Sequence, residues 1–306
     1  MWFKNLYFFA FTSPFECSEE DLEKQLSENL FTPCASTEQS HFGWVNALGK
    51  HGHSAVHAVN GNYLLCARKE EKILPAPVVK DMIEKKVAQL EAEQSRGATK
   101  KEKEQFKEDI IFELLPRAFS RFSDTRAYIN AVHNIIVIDT SSRGKAEDFL
   151  ALLRKSLGTL PVTTPSPEKA PDEVMTDWLV ESNLGANFQL GMEAEFNALG
   201  DDGAVVRVKN QDLTSEEIKA HLDADKYVVK VALEWDESLS FILCDDLAVK
   251  RLKFYDVIQE QNDDIDGDDV VAKLDADFAL MAGELNRFID HLLAEFSLKS
   301  TDYLEA

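Results

Sequence analysis

The 306-residue chain is short of positive charge: 33 Lys and Arg stand against 55 Asp and Glu, a formal net charge of -22. Spread evenly, that charge would repel a polyanion, so the bulk composition speaks against nucleic acid. Cysteine is scarce. Cys17, Cys34, Cys66 and Cys244 form no CxxC pair, and in a reducing compartment they read as free thiols. No run of about 18 apolar residues occurs, so no membrane-spanning helix is expected. The motifs GxGxxG, GxxxxGK[ST], GxSxG and HExxH are all missing, which removes the usual signatures of nucleotide, acyl-transfer and zinc-protease sites. The apolar start MWFKNLYFFAFTSPF is broken by Lys4 and Asn5 and lacks a basic leader. It reads as a strand rather than a signal peptide, and a cytoplasmic location is expected.

Apolar residues make up 44% of the chain and charged residues 29%, and there are 19 phenylalanines. A packed, aromatic-rich core follows, and the length allows two or three domains. Charge is also uneven. Residues 67–126 hold 14 basic and 12 acidic side chains, net +2, which leaves -24 for the rest. Residues 260–306 hold 3 basic and 13 acidic, net -10. The chain therefore has an electrostatic polarity, with a place where an anion can approach.

The pattern predicts an α+β fold. WFKNLYFFAF is a strand, and SEEDLEKQL a helix capped by Ser18 and Asp21 with Leu22 and Leu26 on one face. NYLLCAR is a short buried strand. After Pro75 and Pro77, the stripe Val79, Ile83, Val87 and Leu90 gives one helix. Thr99 with Glu102 opens a second, carrying Phe106, Ile110 and Leu114 and ended by Pro116. This is a helical hairpin between two strands, and its turn carries Arg96, Lys100, Lys101, Lys103 and Lys107. NIIVID is a strand, and AEDFLALLRKSLG a helix stopped by Gly158. The proline-rich stretch 161–173 reads as a linker and domain boundary. Beyond it, GAVVRVKNQ, a short helix capped by Thr214 and Glu217, VVKVALEW, LSFILCDD and VKRLKFYD give β-α-β-β-β, an antiparallel sheet backed by helix. A long amphipathic helix follows.

Several clusters invite chemistry. QNDDIDGDD offers an EF-hand register with Asn262, Asp264 and Asp266 as ligands, but Lys273 falls where a bidentate Glu is needed, so it reads as a solvated acidic loop. His51, His53 and His57 lack a completing ligand at zinc spacing and read as a polar loop. Asp245 and Asp246 could hold magnesium for phosphodiester cleavage, or simply sit at a strand end. Arg207 and Lys209, with Lys230, Arg251 and Lys253 on neighbouring strands, could line an anion-binding surface or a solvated sheet face. The stretch PRAFSRF (116–122) interleaves Arg117 and Arg121 with Phe119 and Phe122, a pattern that serves nucleic acid or a packing corner alike.

The blocks WFKNL (2–6), FTPC (31–34), GWV (43–45), CARKEEKILPAPV (66–78), LLPRAFSRFS (114–123), ALLRKSLGTLPV (151–162), QDLTSEEI (211–218), CDD with KRLKF (244–254) and DADF (275–278) resemble, in order and along the whole chain, the bacterial recombination-associated RdgC family. The resemblance implies a ring-shaped homodimer of multi-domain subunits. Residues 1–74 with 117–165 would form the centre, 75–116 the helical tip, and 166–306 the base, with the C-terminal helix packing back on the centre. Tip would meet tip and base meet base, with Phe119 at the tip contact. Duplex DNA would pass through a positively lined hole without sequence preference, and the protein would antagonise the recombinase RecA on the nucleoid. No enzymatic activity and no cofactor is implied. Arg117, Lys209 and Gln211 match the family's DNA-facing positions, and Asn210 stands where a second lysine is expected. Arg207, Lys100, Lys101, Arg251 and Lys253 join them from the charge pattern. A metal-dependent nuclease using Asp245 and Asp246, or an acidic DNA mimic that binds the recombinase, are the rival expectations.

Overall fold

The computed structural model describes residues 2–198, 200, 203–262, 269–299 and 303. Residues 263–268, and with them most of the calcium-loop register, lie outside the described residues. Among those described are eight α-helices and two antiparallel sheets, so the fold is α+β. In chain order the first elements are β1 (Tyr7–Phe11), α1 (Glu19–Ser27), β2 (Ser40–Val45), β3 (Val56–Val59), β4 (Asn62–Ile73), α2 (Ala76–Gln94) and α3 (Lys100–Leu114). Then come β5 (Phe119–Asn130), β6 (Ile135–Ile138), α4 (Arg143–Leu157), β7 (Val162–Thr163) and α5 (Pro171–Glu181). The last are β8 (Phe188–Ala198), β9 (Val205–Lys209), α6 (Glu216–Leu222), β10 (Lys226–Trp235), β11 (Leu239–Cys244), β12 (Val249–Phe254), α7 (Asp256–Gln259) and α8 (Val270–Glu295).

Contacts divide the chain into two compact units. The first comprises Met1–Glu28, Asn46–Cys66 and Thr125–Ala306; the second comprises Asn29–Val45 and Ala67–Asp124. The division passes through the long strands β4 and β5. Both sides of the proline-rich stretch belong to the first unit, where Val162 and Thr163 pair with β1.

In the first unit, β1 is buried along its whole length between β6 and β7. That burial on both faces explains its unbroken apolar run. The Ser18 hydroxyl accepts the Asp21 N–H at the start of α1, and Leu22 and Leu26 are buried beneath it. A left-handed Gly158 at φ 78° follows α4. Next along the chain is a five-stranded sheet ordered β12-β11-β10-β8-β9. Its inner face carries Val231, Leu233, Trp235 and Phe241, all buried. Helix α8 packs there through the stripe Phe278, Met281, Leu285, Phe288 and Leu292. Phe288 meets Trp235, Phe241 and Phe188 with ring centroids 5.5, 4.8 and 6.5 Å away. Asn286 is buried within this apolar surface. It accepts from Tyr128 Oη at 3.0 Å and donates to Asn62 Oδ1 at 3.1 Å.

The second unit carries the helical hairpin expected over 75–115. Pro75 and Pro77 open α2, and Ser95 in the left-handed region at φ 50° ends it. Thr99 and Glu102 make the reciprocal capping box at the start of α3. The two helices bury only narrow faces, Val79 on α2 and Ile110 on α3. Strands β2, β4 and β5 neighbour one another in that order. The bidentate Arg68–Asp124 pair, at 2.6 and 2.7 Å, ties β4 to β5.

Two local expectations are corrected. Thr214 and Glu217 do not cap α6. Asp212 accepts the Thr214 N–H and hydroxyl, Ser215 is the N-cap residue without a side-chain bond, and Glu217 accepts from Gln211. Strand β8 was absent from the predicted β-α-β-β-β order, yet it lies between β9 and β10.

Candidate nucleic-acid interface

In the second unit, the stretch 116–122 is built around the end of the hairpin. Leu115 is buried and opens a short 3-10 turn over Leu115–Arg117. Pro116 has no N–H to continue the helix. Arg117 is exposed and has no partner among the described residues. Strand β5 then begins, and its period of two sends successive side chains to opposite faces. Ser120 points to one side, where its hydroxyl donates to Glu70 at 2.5 Å and accepts from Lys72 Nζ at 3.1 Å. Phe122 shares that side and meets Phe31 edge-on, with centroids 6.3 Å apart. Phe119 and Arg121 point the other way. Arg121 donates to Glu71 at 2.7 Å, whereas Phe119 is 85% exposed. The two phenylalanines of one motif therefore do different things, and Phe119 packs in no core among the described residues.

Lys100 and Lys101 stand exposed on the first turn of α3 and have no carboxylate partner among the described residues. The nearby Arg96 is different: its guanidinium grips Glu102 at 2.6 and 2.9 Å. That grip, with the Thr99 N–H and hydroxyl, holds the Glu102 carboxyl well below its usual range.

In the first unit, the other predicted cations do share one surface, the outer face of the five-stranded sheet. The ladder sets Lys209 opposite Glu193 and Arg207 opposite Glu195. Lys230 lies beside Glu195 on the next strand. Lys253 is opposite Ser240 and Lys250 opposite Ile242. Arg251 occupies the bulge between them, left-handed at φ 52°. Strand β8 brings carboxylates into this face that sequence reasoning overlooked. Glu195 accepts from Arg207 at 2.6 Å and Lys230 at 2.8 Å. Burial pushes its carboxyl up, but the hydrogen bonds from Lys230 and Arg207 outweigh this and hold it below the usual range. Glu193 accepts from Arg251 at 2.6 Å. Lys209 and Lys253 stay exposed and have no carboxylate partner among the described residues. Gln211 is tied by its amide to Ser215 at 3.1 Å and Glu217 at 3.0 Å. The signal for β8 was present: Glu193 and Glu195 alternate with Ala194 and Phe196. Gly191 and two register shifts against β10 interrupt the rest of its pattern.

The comparisons with known proteins agree on one family. The RdgC family profile, described as "Putative exonuclease, RdgC", matches residues 1–299. The chain is 79% identical over 305 residues to the "Recombination-associated protein RdgC" of Colwellia psychrerythraea, covering 100% of this chain and 99% of that protein. This chain belongs to the RdgC family. It is 53% identical to the Aeromonas hydrophila RdgC and 46% identical to that of Salmonella paratyphi B, each over 96% of this chain and 97% of the relative.

The two descriptions of the RdgC family point to different chemistry, which returns interest to the acidic pair. Asp246 accepts from Tyr7 Oη at 2.9 Å and from the Ala248 N–H at 3.1 Å, as a turn residue does. Burial, then the charges of Asp246 and Asp172, push the Asp245 carboxyl up. Among the described residues, no group of three His, Cys, Asp or Glu side chains is placed to hold a metal ion. His57 lies 2.9 Å from Asp275 and edges the Phe278 ring, apart from any candidate ligand set.

Proposed function

We propose that the chain is a sequence-independent double-stranded DNA-binding protein. In this reading it works in the cytoplasm, on the nucleoid, as a homodimeric ring around the duplex, and restrains recombination promoted by RecA. The observation that carries the reading is the outer face of the five-stranded sheet. It gathers Arg207, Lys209, Lys230, Lys250, Arg251 and Lys253 against Glu193, Glu195 and Glu234, an excess of three positive charges in a chain of -22. Relatives named for recombination support the biological setting. Flexible lysines on a strand ladder suit phosphates and offer no fixed fork for base edges, so the binding is indifferent to sequence. Exposed Phe119 beside unpaired Arg117 supplies an apolar contact for a second subunit, which an isologous interface would bury twice. The reaction is binding alone, with no cofactor and no bond cleavage.

A gel-shift series with linear, circular and single-stranded DNA tests this. Log affinity for duplex should fall linearly with log salt, by about 0.9 per phosphate neutralised. An affinity that ignores salt, or no retention of duplex at low salt, rejects the proposal and leaves the DNA mimic. The description "Putative exonuclease" favours one other reading. End-labelled duplex incubated with magnesium decides between them: shifted, intact DNA supports binding, and label released by the wild type but not by Asp245→Asn supports a nuclease.

A further inference from the structure

Within the second unit, a cavity of about 750 Å³ opens between the helical hairpin and strands β2, β4 and β5. Its floor is aliphatic: Val79 and Ile83 from α2, Ile111 from α3, and Ile73 at the end of β4. Val79 is buried, but Ile83 and Ile111 are half-buried and Ile73 is 48% exposed. This apolar surface stays partly in water, where its removal would be favourable by about 25 cal/mol per Å². Lys72, Lys80, Lys107 and Arg121 stand around the floor, and Glu71 is the carboxylate in the lining. The local sign is thus opposite to that of the whole chain. Arg121 is held by Glu71 at 2.7 Å, and Lys72 by Ser120 at 3.1 Å and by Glu70 at 3.7 Å. Lys80 is 3.8 Å from Glu84 on an exposed helix face, an ion pair that competes weakly with any new partner. Lys107 has no partner among the described residues.

We propose that this groove docks an acidic amphipathic segment of another protein. Large aliphatic or aromatic side chains of that segment lie on Val79, Ile83 and Ile111, and its carboxylates pair with Lys80, Lys107 and Arg121. The combination selects the ligand class. Duplex DNA offers phosphates but nothing apolar for the floor, and a neutral apolar helix would leave the lysines unmatched. Val79, Lys80 and Ile83 of α2 and Lys107 and Ile111 of α3 all line the groove, so each helix brings both aliphatic and cationic side chains to it, the mixture that helix-in-groove recognition of an acidic amphipathic segment uses. This goes beyond DNA binding, because Arg117, Phe119, Lys209 and Lys253 all lie outside the lining.

The test is fluorescence anisotropy of the full-length protein against a panel of labelled twelve-residue peptides. The panel combines Asp or Glu with Leu, Ile or Phe in every helical and alternating spacing. Matched peptides with Lys for every acid, or Ala for every large apolar residue, serve as controls. Saturable binding is expected for acidic amphipathic members only, weakened by raised salt and by about tenfold in Lys107→Glu. Ile83→Ala, a second and milder variant, should weaken it several-fold while circular dichroism stays unchanged. Phe119→Ala should leave it intact. The proposal is overturned if no acidic member binds, if the basic controls bind equally, or if neither variant alters binding. It is also overturned if peptides bind only after Phe119→Ala, since a second copy of the chain would then be the occupant. A failed DNA gel shift leaves this readout untouched, so the two readings fail separately.

Discussion

Helix α3 and the outer face of the five-stranded sheet carry their cations in opposite ways, while α2 pairs Lys85 with Asp81 and Lys80 with Glu84 along its own surface. On α3, Lys100, Lys101, Lys103 and Lys107 project into water without carboxylate partners among the described residues. On the sheet, one strand supplies two glutamates that occupy three cations: Glu195 holds Arg207 and Lys230, and Glu193 holds Arg251. The geometry of each element explains the contrast. A helix spreads its side chains around a cylinder, whereas the ladder sets Glu195 face to face with Arg207 and Lys230 on its two neighbouring strands, about 5 Å apart; Arg251 reaches Glu193 differently, from β12 across β11 and β10. A count of basic residues therefore overstates what a phosphate meets on the sheet. It would meet Lys209, Lys253 and the half-buried Lys250 at once, but would have to displace a carboxylate to reach the guanidinium groups.

The strongest way to break this comparison is to reverse the two exposed unpaired sheet lysines together. Lys209→Glu with Lys253→Glu should lower the salt slope of duplex binding by about 1.8 and weaken binding at every sequence alike. An unchanged slope would place the phosphates elsewhere. Glu195→Gln should act in the opposite direction, releasing Arg207 and Lys230 and raising affinity several-fold at low salt. Arg207→Ala should cost less than Lys209→Ala, because its charge is already answered by Glu195. Equal losses in the same titration would mean that the carboxylate yields freely. Phe119→Ala sharpens the contrast from the hairpin side. It should lower dimer recovery in sedimentation while shifting unfolding by no more than about 0.5 kcal/mol, as an exposed side chain should. The smallest effect concerns acid. Hydrogen bonds from Ser120 and the Cys34 N–H hold the Glu70 carboxyl below its ordinary range. The stability this gives is complete above the ordinary glutamate value of about 4.3 and is lost as pH falls through the lowered one. Glu70→Gln should flatten that part of an acid-unfolding curve, and an identical curve would show that the carboxylate is immaterial.

Much of the hairpin was legible because its signals are local. Thr99 and Glu102 lie three residues apart, Phe106, Ile110 and Leu114 repeat every four, and Pro116 stops the helix. Strand β8 was not legible as a whole, because its pairing with β10 shifts register twice and blurs the period. With β8 went the pairing state of the sheet cations, which depends on what stands across the ladder rather than on what stands next in the chain. The same limit applied to Phe119 and Phe122. Alternation assigns them opposite sides of β5, but only the third dimension supplies Phe31 to one and nothing to the other. Thr214 misled for a related reason: Asp212, two residues earlier, accepts the Thr214 N–H and hydroxyl that a capping box with Glu217 would have used.

Asn286 sets a limit on how α8 can settle. The helix offers a long, smooth row of Phe, Met and Leu that would pack almost as well if the rod slid by one turn. Such a slip would strand Asn286, Tyr128 and Asn62 in a dry interior, each a polar group without its mate and each costing about 1–3 kcal/mol. One buried amide thus acts as a detent, and the bonds of Trp235 to His291 and of the Phe3 N–H to Met281 add two more stops to the same resting position.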